Sequence, residues 1–477
     1  MTDRTTTAAP PATVIVGAGP AGVRAAQTLV RHGVRPLVVD EAPRWGGQIY
    51  RQQPPGFERP PTQLYGFEAS RARSIHDTFA DLLPHVDYLP GQLVWNADAR
   101  HLDLWSATAD RYTQVAWRDI ILATGATDRI LPVPGWTTPG VYALGGAQIA
   151  LKFQGCAIGS DVVFAGSGPL LYLVAYQYRK AGARVRAVLD YATPGEQLRA
   201  VPAMSRLPGV LAKGLYYVAW LRAHGVPVHQ GARLVGVDGD ARVSAVRWQP
   251  RDAGDVQTIA CDALGFGYGL RPEHQLADLL GCRFVFDAQQ RAHLVEQDRG
   301  VTTVPGVYVA GDGARILGAD GAERAGERAA LQLLAKRGIY RDDARLASLD
   351  TELARIERFR TGIEHAFPFP RDWAAGVTDD TLVCRCEAVT AGDIRETVAT
   401  LGADEMNRVK ALCRLGMGRC QGRMCGAAGA EIVAHACAKP IDAIGRLRGQ
   451  APVKPVPISA FAAEELIAPS QEEVPHG

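Results

Sequence analysis

Val14, Ile15 and Val16 form an unbroken apolar run, which predicts a buried strand. Gly17 to Gly22 then predicts a turn, Val23 to Gly33 a helix, and Leu37 to Val39 a second strand. The same order returns later, with a strand at Val162 to Ala165, a turn at Gly166 to Leu171, a helix to Lys180 and a strand at Val185 to Leu189. Two βαβ units are therefore expected, and with them an α/β fold. A Pro-rich loop, Arg51 to Pro61, and alternating strand-like segments from Tyr88 to Trp117 lie between the units. Past Gly338, apolar positions Leu346, Leu349, Leu353, Ile356 and Phe359 recur at helical spacing with charges between them, which predicts an amphipathic connecting helix. Phe367-Pro368-Phe369-Pro370 should end it and mark a boundary. A cysteine-rich segment, Thr381 to Lys439, and a Pro-rich tail, Gly449 to Gly477, follow. Much of that tail is expected to order only against another surface.

Composition narrows the reading. A chain of 477 residues points to about three domains. Its 52 Lys+Arg nearly balance its 50 Asp+Glu, so no nucleic acid or other polyanion is implied as a partner. The longest apolar stretch, Val162 to Tyr176, is broken by Gly166, Ser167, Gly168 and Pro169. It falls short of the roughly 18 apolar residues of a spanning helix, so no transmembrane segment is expected. Met1 to Ala12 does not read as a secretory signal, and a cytoplasmic location is expected. Five of the nine cysteines fall between Cys384 and Cys425, a clustering that argues for metal or redox chemistry.

The first turn, Gly17-Ala18-Gly19-Pro20-Ala21-Gly22, follows a strand and opens a helix, where glycines permit close approach of a pyrophosphate to the helix N-terminus. Asp40 ends the next strand, placed to accept hydrogen bonds from an adenosine ribose. Two further segments resemble the two-dinucleotide-domain flavoprotein reductases. Ala123-Thr124-Gly125-Ala126 is similar to that family's strand-end turn, and Thr302 to Asp312 to its second flavin motif. Gly46, Gly47 and Gln48 are similar to its loop beside the flavin ring, with the Ala-rich helix from about Glu323 as cover. The resemblance implies FAD held by Gly17, Gly19, Pro20, Ala21, Gly22, Asp40, Glu41, Gly47, Gln48, Thr124, Gly125, Gly311 and Asp312, the last binding the ribitol chain.

The second turn departs from the fingerprint. Leu171 stands where a small residue is needed, and Pro169 removes an amide donor, so nicotinamide binding is not expected. Asp190 could meet a ribose, but Tyr191-Ala192-Thr193 offers no base for a 2′-phosphate. No Cys-x-x-Cys lies near Cys156 for disulfide chemistry.

Cys384-Arg385-Cys386 and Cys420-Gln421-Gly422-Arg423-Met424-Cys425 supply two close thiolate pairs, which suit zinc or a 2Fe-2S cluster. Gly416, Gly418 and Gly422 make a loop whose amides can turn toward sulfur, and the second pair precedes a helix-like run, Ala427 to Ala438. Cys156, Cys261, Cys282 and Cys437 are expected to be buried small hydrophobes, with Cys413 open. This segment resembles the bacterioferritin-associated-ferredoxin-like 2Fe-2S domain. Gly416 to Gly426 is similar to its form in the flavin-bearing subunits of hydrogen cyanide synthase, opine oxidase, and proline and hydroxyproline dehydrogenases. Gly46-Gly47-Gln48-Ile49-Tyr50 and Pro452-Val453-Lys454-Pro455-Val456-Pro457 carry the resemblance to both ends.

The resemblance implies a glutathione-reductase-like fold followed by a small helical 2Fe-2S domain. Residues 1–150 and 260–335 would form the FAD-binding domain, 151–259 the second nucleotide-binding-like domain, 336–375 a helical linker, 376–440 the 2Fe-2S domain and 441–477 the tail. Cys384, Cys386, Cys420 and Cys425 would be the metal ligands. It also implies an electron-relay subunit. In such a complex another flavoprotein subunit, of the amino-acid-oxidase type, oxidises an amino acid, opine, proline, hydroxyproline or glycine, and this chain passes electrons to a respiratory acceptor. A third small subunit is compatible with it, as are a second nucleotide or FMN at a subunit interface and attachment to the inner face of the membrane through partners. The catalytic residues are not assigned. Two other readings stay open, an autonomous NAD(P)H-dependent flavin reductase and a non-catalytic adaptor subunit.

Overall fold

The structure is a computed structural model, and it describes residues 12–57, 59–252 and 254–458, with 464–466 as backbone. The first unit opens with β1 (Ala12–Val16), α1 (Pro20–Arg31), β2 (Leu37–Asp40), β3 (Asp87–Pro90) and β4 (Arg111–Leu122). The second contains β5 (Val141–Ala143), α2 (Leu144–Lys152), β6 (Asp161–Ser167), α3 (Pro169–Lys180), β7 (Arg184–Asp190), β8 (Val228–Gln230) and β9 (Ala263–Tyr268). The chain then returns to the first unit with β10 (Val307–Val309) and α4 (Ala319–Lys336), and crosses out again along α5 (Asp343–Ala366).

Both units are built on parallel sheets, in the orders β10-β4-β1-β2-β3 and β8-β7-β6-β9-β5. A parallel sheet covered on both faces needs apolar strands throughout, and Val14, Ile15, Val38, Ile120 and Ile121 are fully buried. The strand-turn-helix joints thus fall at the carboxyl edges, where α/β folds bind their ligands. Helix α4 lies against α1 so closely that a Cβ on Gly326 would overlap the Ala21 carbonyl.

The connecting helix forms as its periodicity predicts: Leu346, Leu349, Leu353, Ile356 and Phe359 are all buried along α5, which stops at Ala366 before Phe367-Pro368. The cysteine unit follows as β11 (Leu382–Cys384), β12 (Val389–Thr390), α6 (Ala391–Leu401), α7 (Met406–Cys413) and α8 (Gly426–Ala436). It shares one continuous apolar core with the second unit, and Trp136 Nε1 donates to Leu382 O at 2.6 Å across the junction.

One expectation is corrected. Cys261 and Cys282 are buried, but Cys156 is exposed in the turn after α2, and Cys437, at the C-terminal cap of α8, is only half-buried. The described start of the tail, residues 449–458, lies on the chain's own surface. Val453 is buried in the first unit's core, its N–H donating to Trp95 O at 2.9 Å, and Lys454 pairs with Glu41. The remaining tail predictions from residue 459 on lie outside the described residues, apart from a short backbone pairing of Glu464–Leu466 with β4. No helix among the described residues is long and apolar enough to cross a membrane.

Candidate functional site

The first turn has the shape its glycines require. A Cβ on Gly22 would overlap the Gly17 carbonyl oxygen, so only glycine lets α1 start this close to β1. Asp40, buried at the end of β2, accepts from Ala18 N at 2.5 Å and from Ala42 N at 2.6 Å. Burial raises its carboxyl despite those amides, which fits a group that further hydroxyl donors would complete.

Gly47 packs on the same turn, an added Cβ standing 2.8 Å from Gly19 Cα, and Gly46 N donates to Ala18 O at 2.8 Å. Asp312 follows β10, and its Oδ1 accepts from Leu317 N at 2.8 Å and Gly318 N at 2.9 Å. Its Oδ2 has no hydrogen bond among the described residues. A Cβ on Gly311 would lie 2.8 Å from Ala21 Cβ and one on Gly313 2.7 Å from Thr124 Oγ1, so the residues around Asp312 come close to both the first turn and Thr124-Gly125. One edge of one sheet therefore gathers Gly17 to Gly22, Asp40, Gly47, Thr124, Gly125, Gly311 and Asp312. Two candidates stand apart: Glu41 is exposed and paired with Lys454, and Gln48 is exposed with its Oε1 taken by Arg51 at 2.9 Å.

Lys152 was not singled out by sequence. It is 4% exposed on α2, its Nζ donates to Ile49 O at 3.2 Å, and burial pushes it down to about 8. The available signal is a lysine inside the apolar run Ala150-Leu151-Lys152-Phe153. Asp128, at the N-terminus of α2, accepts from Gly145 N at 3.1 Å and is pushed up to about 6 by burial.

At the second turn Leu171 is fully buried among Phe164, Val174 and Ala175. Its side chain is accommodated because the turn is re-routed: Gly168 caps α3 at φ 117°, whereas Gly19 caps α1 at φ −77°. Asp190 is fully buried and spent on Tyr172 Oη at 2.6 Å, Gln197 Nε2 at 3.0 Å and Ala192 N at 3.0 Å. Phe367, Pro368 and Phe369 of the linker face Ser167-Gly168-Pro169 across a cavity of about 50 Å³. A nucleotide here would find its ribose acceptor occupied and its crevice narrowed.

In the cysteine unit the four thiols meet in sequence, Cys386 with Cys420, Cys420 with Cys425, and Cys425 with Cys384. Cys425 and the amides of Gly416, Glu387 and Cys386 turn donors toward Cys384 and lower it to about 6. Cys425 and the Met424 amide lower Cys420 to about 5. Gly418 packs against Cys386. No group of three or more His, Cys, Asp or Glu among the described residues is spaced for a single metal ion. Four thiols joined in pairs, with amides turned toward them, are groups that could hold a thiolate-bound centre, zinc or a 2Fe-2S cluster.

Sequence reasoning missed the contact that joins the two candidate sites. Thr124 Oγ1 donates to Glu273 O at 2.5 Å and Glu273 N donates to Gly125 O at 2.9 Å. The Glu273 carboxylate in turn accepts from Arg423 at 2.6 and 3.2 Å, and Arg423 Nη1 donates to Cys420 O at 3.3 Å. Both members of this ion pair are largely buried, and breaking such a pair costs about 3–5 kcal/mol. The cysteine loop is thereby fixed to the strand-end turn of the first unit.

Residues 11–329 match the family described as Pyridine nucleotide-disulphide oxidoreductase, and residues 378–465 match the Sarcosine oxidase A3 domain. The chain is 36% identical to an opine oxidase subunit of Agrobacterium tumefaciens (strain Ach5), over 94% of this chain and 91% of that one. It is 34% identical to hydrogen cyanide synthase subunit HcnB of Pseudomonas protegens, over 97% and 98%. Among solved structures, L-proline dehydrogenase from P. horikoshii superposes with a TM-score of 0.67 at 18% identity, covering 95% of this chain and 79% of that one, a likeness of fold.

Proposed function

Since the chain belongs to the pyridine nucleotide-disulphide oxidoreductase family, together with these subunits of opine oxidase and hydrogen cyanide synthase, we propose that it is the electron-relay subunit of a heteromeric amino-acid-oxidising dehydrogenase. The carrying observation is the Thr124–Glu273–Arg423–Cys420 contact, which fastens the candidate flavin edge to the candidate cluster loop within one polypeptide. FAD would supply two-electron chemistry and a 2Fe-2S cluster one-electron chemistry. For FAD, Gly17 to Gly22 admit the pyrophosphate, Asp40 accepts from the ribose, and Asp312 Oδ2 from the ribitol. For the cluster, Cys384, Cys386, Cys420 and Cys425 provide the thiolates, and the Gly416, Cys386 and Met424 amides stabilise their charge. Glu273 and Arg423 hold the two sites at fixed separation. A partner flavoprotein subunit would oxidise an amino acid or N-substituted amino acid, and a respiratory acceptor would take the electrons. We place the chain in the cytoplasm, reaching the membrane only through partners.

The test compares the purified chain with the co-expressed complex, using glycine, opines, proline and hydroxyproline and a dye acceptor. The chain alone should give no measurable turnover and the complex should turn over one of them. Full activity from the isolated chain would refute the relay role.

NADH should be a poor reductant of this chain, because Asp190 is spent, Leu171 has reshaped the turn and the linker faces it. Anaerobic stopped-flow mixing should show slow, incomplete bleaching of the flavin. Rapid, complete bleaching at micromolar NADH would instead support an autonomous reductase.

A further inference from the structure

A cavity of about 100 Å³ lies between the first unit and the cysteine unit, and its walls carry more positive charge than their own carboxylates balance. Four arginines line it. Arg291 is paired with Glu431 at 2.5 and 2.7 Å, and Arg446 with Asp278 at 2.6 and 2.7 Å. Arg129 and Arg271 have no carboxylate within ion-pair distance among the described residues. Arg129 is 6% exposed, and the one hydrogen bond of its guanidinium among the described residues is to Gln290 O at 2.5 Å. The acids nearest it, Glu364 and Glu431, are engaged by Arg360 and Arg291. Arg271 gives its Nε to Thr127 Oγ1 at 3.2 Å; the carboxylate that acts on it most, Glu273, is held by Arg423, and Cys425 and Cys420 share its field.

Arginine does not shed its proton, so a buried guanidinium calls for a counter-ion. One further wall atom suits an anion. His274 Nδ1 is shielded from solvent with no hydrogen-bond partner among the described residues, and as N–H it can donate, whereas Gln275 Oε1, also unpartnered there, is an acceptor that calls for a hydroxyl donor on the ligand. Phe369 lies under the Arg129 and Arg291 guanidiniums at 5.5 and 5.1 Å, which gives the cavity one flat apolar wall. At about 30 Å³ per water in the liquid, a space of about 100 Å³ takes roughly three waters, or one small oxyanion in their place.

We propose that this cavity binds a small molecule through an oxyanion head, phosphoryl or carboxylate, held between Arg129 and Arg271, with its body on Phe369. Phosphate and carboxylate both suit the guanidinium fork. The site borders the candidate cluster loop at Gln421 and Gly422, and its readout is binding, separate from the turnover that tests the relay reading.

Calorimetric titration of the full chain, with its cofactors in place, would use inorganic phosphate, AMP and succinate as separate probes. Saturable binding of at least one is expected, weakened at least tenfold by Arg129→Met. Because that variant can disturb packing, Ala430→Leu, which fills the cavity without changing charge, should weaken the same probe at least tenfold, while Arg283→Met on the exposed surface leaves it unchanged. Phosphate or AMP alone would identify a phosphoryl ligand, and succinate alone a carboxylate. Binding of none of the three, or binding indifferent to both cavity variants, would overturn the proposal.

Discussion

Gly22→Val is expected to strip the protein of its flavin and to destabilise the first unit by more than about 3 kcal/mol, beyond the usual range for overpacking. The cause is local and rigid. The new Cβ would overlap the Gly17 carbonyl oxygen, a backbone atom that cannot step aside because Gly17 N is itself bonded to Val39 O at 2.7 Å. Helix α1 must then move from β1, carrying the amides that would face a pyrophosphate. Gly195→Ala, in the second unit, is the matching control: nothing lies within 4 Å of its added Cβ. Flavin absorbance per chain after gel filtration, with chemical denaturation of both variants, reads the result. A full flavin complement in Gly22→Val would show that FAD binds elsewhere.

Cys425→Ser should abolish iron binding while leaving the flavin in place. Cys425 is 1% exposed and contacts both Cys384 and Cys420, so it stands at the centre of the thiol chain. Its loss divides the remaining thiols. Iron analysis of anaerobically prepared wild-type protein should give about two irons per chain, as a binuclear centre requires, and the variant should fall to background. The visible absorption beyond the flavin bands should disappear with it. One zinc and no iron in the native protein would be incompatible with the assignment.

Features with a local cause could be read in the sequence. The glycine turn is fixed by contacts between residues 17 and 22, the connecting helix by its own periodicity, and the thiol pairs by short spacing. Leu171 was legible as a departure, though not its consequence, because the re-routing at Gly168 depends on how α3 meets the core. Glu273 and Arg423 were invisible for a different reason. They lie 150 positions apart and look like ordinary surface charges until the topology buries them together. Lys152 is similar, an apolar-helix lysine whose only hydrogen-bond partner among the described residues comes from the distant Ile49. Cys156 and Cys437 were misjudged because residue type predicts burial only on average, and both sit where an element ends.

The first sheet takes β10 from beyond the entire second unit, and its core takes Val453 from beyond the cysteine unit. Synthesis on the ribosome is vectorial, so the amino-terminal glycine turn emerges long before the segments that complete its surroundings. A nascent chain halted ahead of Val307 has β4 without its neighbour and no Asp312. Flavin capture therefore waits at least until Asp312 has emerged, and until then the unpaired strand edge is a natural client for chaperones.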